Sequence, residues 1–242
     1  MVDILSIILT NFMYSLVGSY LIDNLFKITV KKSARYYLLH VILNSYIVYT
    51  TYSESIDFFL SPVIKCDIYT KSSIESASVI IGFHIYHYLT DILDFETKVH
   101  HIVTVFITGS TALLIPTGST TSAINFIMCG LPGGIDYILL VMYKYNIIST
   151  LVEKNINRWL NLLIRMPGMM LVAWYLFLNI YNGHIIWYKY IPTLLATILM
   201  TINSIYYCNK TVGNFHVRYN QHVNKIGKID KIDEIGKIKS VH

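Results

Sequence analysis

Charge is what this sequence has least of: Asp, Glu, Lys and Arg make up 14% of its 242 residues. Soluble domains carry about 25%, so too little charge is present here to solvate the whole surface of one. The three cysteines, Cys66, Cys129 and Cys208, stand far apart without C-x-x-C spacing, which argues against a disulfide framework and a cysteine zinc site. There is no P-loop, no G-x-G-x-x-G after a strand and no serine nucleophile elbow, so nucleotide hydrolysis and soluble hydrolase chemistry have no support. A basic leader is also missing. The opening "MVDILSIILTNFMYSLVGSYLI" begins with an acid and lacks a small-residue cleavage site, so it is expected to stay attached as a signal anchor.

Long apolar runs fill the rest. The chain is 54% hydrophobic with a mean hydropathy of +0.51, and runs long enough to cross a bilayer recur from end to end. They predict an all-α, polytopic membrane bundle of about seven transmembrane helices, near 4–24, 36–53, 77–94, 99–116, 120–144, 159–180 and 185–207. Residues 1–34 read as a first span with a basic joint, 35–207 as one membrane domain, and 208–242 as a basic, low-complexity tail.

The cations divide unevenly between the joints. Fifteen of the 19 lie after spans 1, 3 and 5 or in the tail, three (Lys65, Lys71, Lys189) lie on the opposite side, and Arg165 falls inside span 6. The positive-inside rule then predicts a lumenal N-terminus and a cytosolic C-terminus. Because the net charge of +5 sits in joints and tail, it marks topology, and no nucleic-acid partner is expected. In the tail, Ile226, Ile229, Ile232, Ile235 and Ile238 recur every third residue among lysines and acids. A disordered, solvated tail is expected, with a basic amphipathic segment on anionic lipid as the alternative.

Span 5 carries Gly130, Pro132, Gly133 and Gly134 at its centre. Proline removes a backbone donor there, which predicts a kink or a short unwound turn; glycines that merely allow close helix packing are the alternative.

Ionisable residues inside a membrane are costly and by default face the bundle interior or mark a functional path. Here they share one level. At about 1.5 Å per residue, Asp136 lies roughly 12 Å inside Lys144 and Arg165 roughly 10 Å inside Arg158. His40, Asp91 and His101 fall in the same cytosolic half. His84, His87 and Asp91 occupy one face of span 3, and the short joint "DFETK" predicts an antiparallel hairpin that brings Asp91 near His100 and His101. The catalytic candidates are therefore His100, His101 and Asp136, and the lipid-binding candidates are His40, His87, Asp91 and Arg165. A plain ion pair between Asp136 and Arg165 that only orients two helices is an equal alternative. No metal site is expected: membrane di-iron oxidases use H-x-x-H-H clusters, and none occurs among the nine histidines.

The motif "HHIVTVF" at 100–106, followed by "IDYILLVMYKYN" at 135–146, resembles the TLC-domain family of multi-pass membrane lipid proteins, to which the ceramide synthases belong. "YHYLTDIL" before the histidines and "RWLNLLIRMPG" at 158–168 are similar to neighbouring family segments, so the resemblance spans about residues 35–207. It implies a helical bundle around a lipid-accessible tunnel open to the cytosol, in the endoplasmic reticulum or a related internal membrane. In ceramide synthases a histidine pair and two aspartates transfer an acyl group from CoA to a sphingoid amine. His100 and His101 match the pair, Asp136 matches the second aspartate, and the first falls at Gly133.

The expected function is lipid binding, transport or regulation of membrane lipid composition. The alternative is a ceramide-synthase-like N-acyltransferase using His100 and His101, since imidazole can act as base or nucleophile near neutral pH. The expected partners are membrane lipids, a fatty acyl or sphingoid lipid among them. No cofactor is expected beyond acyl-CoA as co-substrate of that alternative, and oligomerisation is left open.

Overall fold

The computed structural model describes residues 2–60, 69–90, 93–115 and 117–239, with no account of the side chains at 2, 3, 104, 106 and 226–239. All secondary structure among these residues is helical. In chain order the α-helices are α1 (Val2–Thr29), α2 (Lys32–Leu60), α3 (Lys71–Thr90), α4 (Phe95–His101), α5 (Ser110–Leu114), α6 (Ser119–Asn125), α7 (Leu131–Lys144), α8 (Thr150–Leu160), α9 (Met166–Tyr181) and α10 (Tyr190–Lys239). Among the described residues, four helical stretches are long and apolar enough to cross a membrane: Ile4–Thr29, Ser119–Lys144, Thr150–Tyr181 and Trp187–Lys225.

The polarity of the molecule is inverted relative to a soluble protein. Asn44, Thr51, Ser55, Ser76, Ser122, Asn161 and Asn179 are buried, whereas Leu5, Leu9, Leu21, Leu25, Leu163, Trp174 and Ile202 are exposed. An apolar exterior over a hydrogen-bonded interior is what a bilayer selects, because a polar group facing hydrocarbon costs several kcal/mol.

α2 is the central element, packed against α6, α7 and the Phe126–Gly130 turn, while α1 leans on α3. Two apolar clusters result. Leu39, Leu43, Ile47, Ile80 and Phe83 join α2 to α3, and Phe58, Ile127, Met169, Val172 and Met200 tie α2 to α9 and α10. The serines of α3 allow close approach and satisfy themselves locally: Ser76 and Ser78 donate to carbonyls one turn back, at 2.7 Å each, and Asn125 donates to Ser76 at 2.8 Å.

Span 5 changes its helical geometry at its centre and stays hydrogen-bonded through it. A π-helical turn, Phe126–Gly130, joins α6 to α7 directly before Pro132, and the Leu131 N–H donates to the Phe126 carbonyl five residues back. A second such turn, Asn161–Arg165, joins α8 to α9 before Pro167, with Met166 donating to Asn161. Proline offers no N–H to the carbonyl four residues back, and the wider turn redistributes the bonds so that the helix continues. The glycines serve packing: a Cβ at Gly130 would stand 3.3 Å from Val48, and one at Gly134 would stand 3.5 Å from Asn44. Asn44, with its amide oriented to suit, donates to the Cys129 carbonyl and accepts from the Gly134 N–H, both at 3.3 Å. A side chain of α2 thus supplies hydrogen bonds that the proline and π turn leave open.

The tail departs from the expectation of disorder. α10 continues without a break to Lys239, and its extension is anchored where Phe215 packs under the Arg158 guanidinium, 3.6 Å from the ring centre. No proline follows Pro192 to stop the helix.

Gly82 sets the α1–α3 separation, since a Cβ there would lie 2.6 Å from the Phe12 carbonyl oxygen and 3.0 Å from Ser15 Cβ. Gly82→Val is expected to cost about 1–3 kcal/mol through forced separation of the helices. Gly18→Ala, where nothing stands within 4 Å of the new methyl, is expected to be neutral or to gain up to about 1 kcal/mol. Thermal unfolding of the detergent-solubilised variants checks both.

Candidate functional site

The helices enclose a cavity of about 250 Å³ whose walls include His40, His84, His100, His101, Asp136 and Arg165. Five elements contribute these six side chains. α2 brings His40, α3 brings His84, α4 brings His100 and His101, and the two proline-associated segments bring Asp136 and Arg165. The gathering follows from the bundle: polar residues a turn or two inside each helix face inward at the same level, because the outward direction is closed to them.

The histidines form a contiguous array. The His101 ring lies 5.0 Å from His84 and 5.8 Å from His100, and His40 lies 6.5 Å from His84. His84 Nδ1 lies 2.7 Å from the Ile80 carbonyl and His40 Nδ1 lies 3.0 Å from that of Tyr36. A carbonyl only accepts, so both rings donate through Nδ1, and in the neutral tautomer Nε2 holds the lone pair. His100 Nδ1 donates to Asn203 Oδ1 of α10 at 3.2 Å. His40 is held flat between Tyr137, at 4.1 Å, and His87, at 4.7 Å.

Asp136 and Arg165 share the cavity, yet in place of the alternative of a direct ion pair a ladder of side chains joins them. Asn157 Nδ2 donates to Asp136 Oδ1 at 2.7 Å, Asn161 Nδ2 donates to Asn157 Oδ1 at 2.8 Å, and Arg165 donates to Asn161 Oδ1 at 3.1 Å. The spacing of 157, 161 and 165 places all three on one helical face.

His87 lies behind the cavity wall. It helps line a separate space of about 210 Å³, with Asp23, Lys32, Arg35, Tyr36, Tyr86 and Thr90. Asp91 lies outside the described residues, so the expected approach of Asp91 to the histidine pair is not described.

Several residues of the site escaped sequence reading. Tyr36, Tyr137, Asn44, Asn203 and Tyr207 line the main cavity, and single tyrosines and asparagines in apolar runs carry no distinctive spacing. Asp23 was legible in principle as an acid inside span 1. It is buried, bonded to Arg35 at 2.9 Å and to the Tyr86 hydroxyl at 2.8 Å. Gly133 faces the cavity as well, and a Cβ there would stand 3.0 Å from the Asn44 amide and 3.7 Å from an Arg165 nitrogen.

At one end of the bundle, cations join different elements. Lys31 donates to the Lys144 carbonyl at 3.0 Å, and Lys210 of α10 pairs with Glu96 beside the histidine helix. That hydrogen bond holds the Glu96 carboxyl below its usual range. Among the described residues, no group of three or more His, Cys, Asp or Glu is disposed to hold a metal ion.

Asp23→Ala is expected to leave Arg35 and the Tyr86 hydroxyl short of a partner. The expected loss is about 2–3 kcal/mol, at or below the lower end of the roughly 3–5 kcal/mol for a fully buried pair, because Arg35 is 26% exposed. Chemical or thermal unfolding in detergent measures it. Compared with protein-family models, curated proteins and solved structures, the chain matches none.

Proposed function

We propose that this protein is a TLC-like membrane protein that binds a lipid in its histidine-lined cavity, and so acts in lipid transport or in the control of membrane lipid composition. The observation that carries this reading is the amphipathic shape of the interior. Besides its histidines, Asp136 and Arg165, the cavity of about 250 Å³ is walled by Ile80, Met128, Met169 and Met200. A ligand that matches both kinds of wall has a polar head joined to an apolar body, as the headgroup end of a lipid does. The chain crosses the bilayer seven times around a tunnel, with a lumenal N-terminus and a cytosolic C-terminus, in the endoplasmic reticulum or a related membrane. Support for this arrangement comes from the cation bias and from the contacts that gather Lys31, Lys144, Lys210 and Arg158 around neighbouring helix ends.

A second reading is an N-acyltransferase moving an acyl group from acyl-CoA to a long-chain amine. It is favoured by the row in which His84 lies beside His101 and His101 beside His100, with His84 Nδ1 committed to the Ile80 carbonyl so that its Nε2 is the acceptor. Against it, Asp136 is occupied by Asn157.

Purified protein is expected to retain a stoichiometric lipid, seen by mass spectrometry of the organic extract, and to melt at a higher temperature when that lipid is restored. Absence of bound lipid together with a melting temperature indifferent to every lipid added would sink the first reading. Membranes given labelled acyl-CoA and a long-chain amine test the second: it requires amide formation that His101→Ala abolishes. An epitope at the C-terminus is expected to react with antibody after selective opening of the plasma membrane alone.

A further inference from the structure

Arg165 carries more hydrogen-bonding capacity than the protein uses. A guanidinium has five N–H donors. Here the partner is Asn161, reached at 3.1 Å through one terminal nitrogen; Nε is buried and meets no acceptor. The other terminal nitrogen points toward Gly133, 3.7 Å from where a Cβ would stand. Asp136, the carboxylate sharing the cavity, is held by Asn157 on the far rung of the ladder. A cation taken out of water with so few partners is costly, and the cost is removed by an anion that reaches the unused face of the fork.

The space for that anion exists. Gly133 and Arg165 line the same cavity of about 250 Å³, whose wall also carries Tyr137, Tyr207 and the amide of Asn203. We propose that the bound lipid is an anion, a carboxylate or a phosphate monoester, with Arg165 as its counter-ion. This rests on the lipid-binding reading above and names the class of lipid.

The test measures binding of palmitate, cetyl phosphate and cetyl alcohol to the full-length protein in neutral detergent at neutral pH. One or both anions are expected to bind at least about tenfold more tightly than the alcohol, in line with a charge-assisted hydrogen-bond pair; which one does so separates carboxylate from phosphate. Arg165→Gln is expected to erase the difference while leaving the alcohol affinity within about twofold, and Arg165→Lys to keep part of it. Gly133→Asp, which sets a carboxylate beside the guanidinium, is expected to erase it too, and decides the matter should Arg165→Gln fail to fold. Equal affinity for anion and alcohol in the unaltered protein overturns the proposal, as does an anion preference that survives in Gly133→Asp. Binding of none of the three overturns the lipid reading itself, and the inference with it, whereas alcohol binding without anion preference overturns the inference alone.

Discussion

A polar group that faces hydrocarbon finds no partner, and a backbone group left open there costs several kcal/mol. This constraint turns the molecule inside out. It drives the histidines, asparagines and charges of α2, α3, α4, α7 and α8–α9 to a common interior level, and it requires each break in a helix to be repaired locally. The two π turns before Pro132 and Pro167 are such repairs, and so is the Asn44 side chain that reaches the backbone at Cys129 and Gly134. The cavity is therefore a consequence of how the bundle satisfies its own polar groups, with the functional side chains drawn from the same set.

The proline-associated turns also explain the geometry of the site. Each inserts one residue into the helical repeat, which rotates the helix on its C-terminal side relative to the helix on its N-terminal side. Asn157 and Asn161 link back to Asp136, while the second terminal nitrogen of Arg165 lies toward Gly133. An Asp136–Arg165 pair in direct contact would have neutralised the cavity internally. The ladder keeps the two charges apart while bridging them.

Much of the site was legible because ionisable residues in apolar runs are rare enough to stand out: His40, His100, His101, Asp136 and Arg165 do line one cavity. The misreadings have physical causes. His87 shares a helical face with His84, but α3 is packed on two sides, so the two rings enter different spaces. The tyrosines and asparagines of the wall were invisible, because a neutral polar residue in a membrane helix is common and its orientation depends on neighbours. Asp23 was overlooked since its partners, Arg35 and Tyr86, lie on two other helices.

Composition and hydrophobic period alone make the chain helical, apolar outside and asymmetric in charge, and they mark which charges had to turn inward. Which of them meet follows from packing: the stacking of His40 between His87 and Tyr137, the asparagine ladder in place of an ion pair, and the close approach of Gly133 to Asn44 and the Arg165 guanidinium. Each depends on the rotation of one helix about its axis relative to another. That rotation is set by packing at Gly82, Gly130 and Gly134 and by the π turns, and no count of residues along the chain contains it.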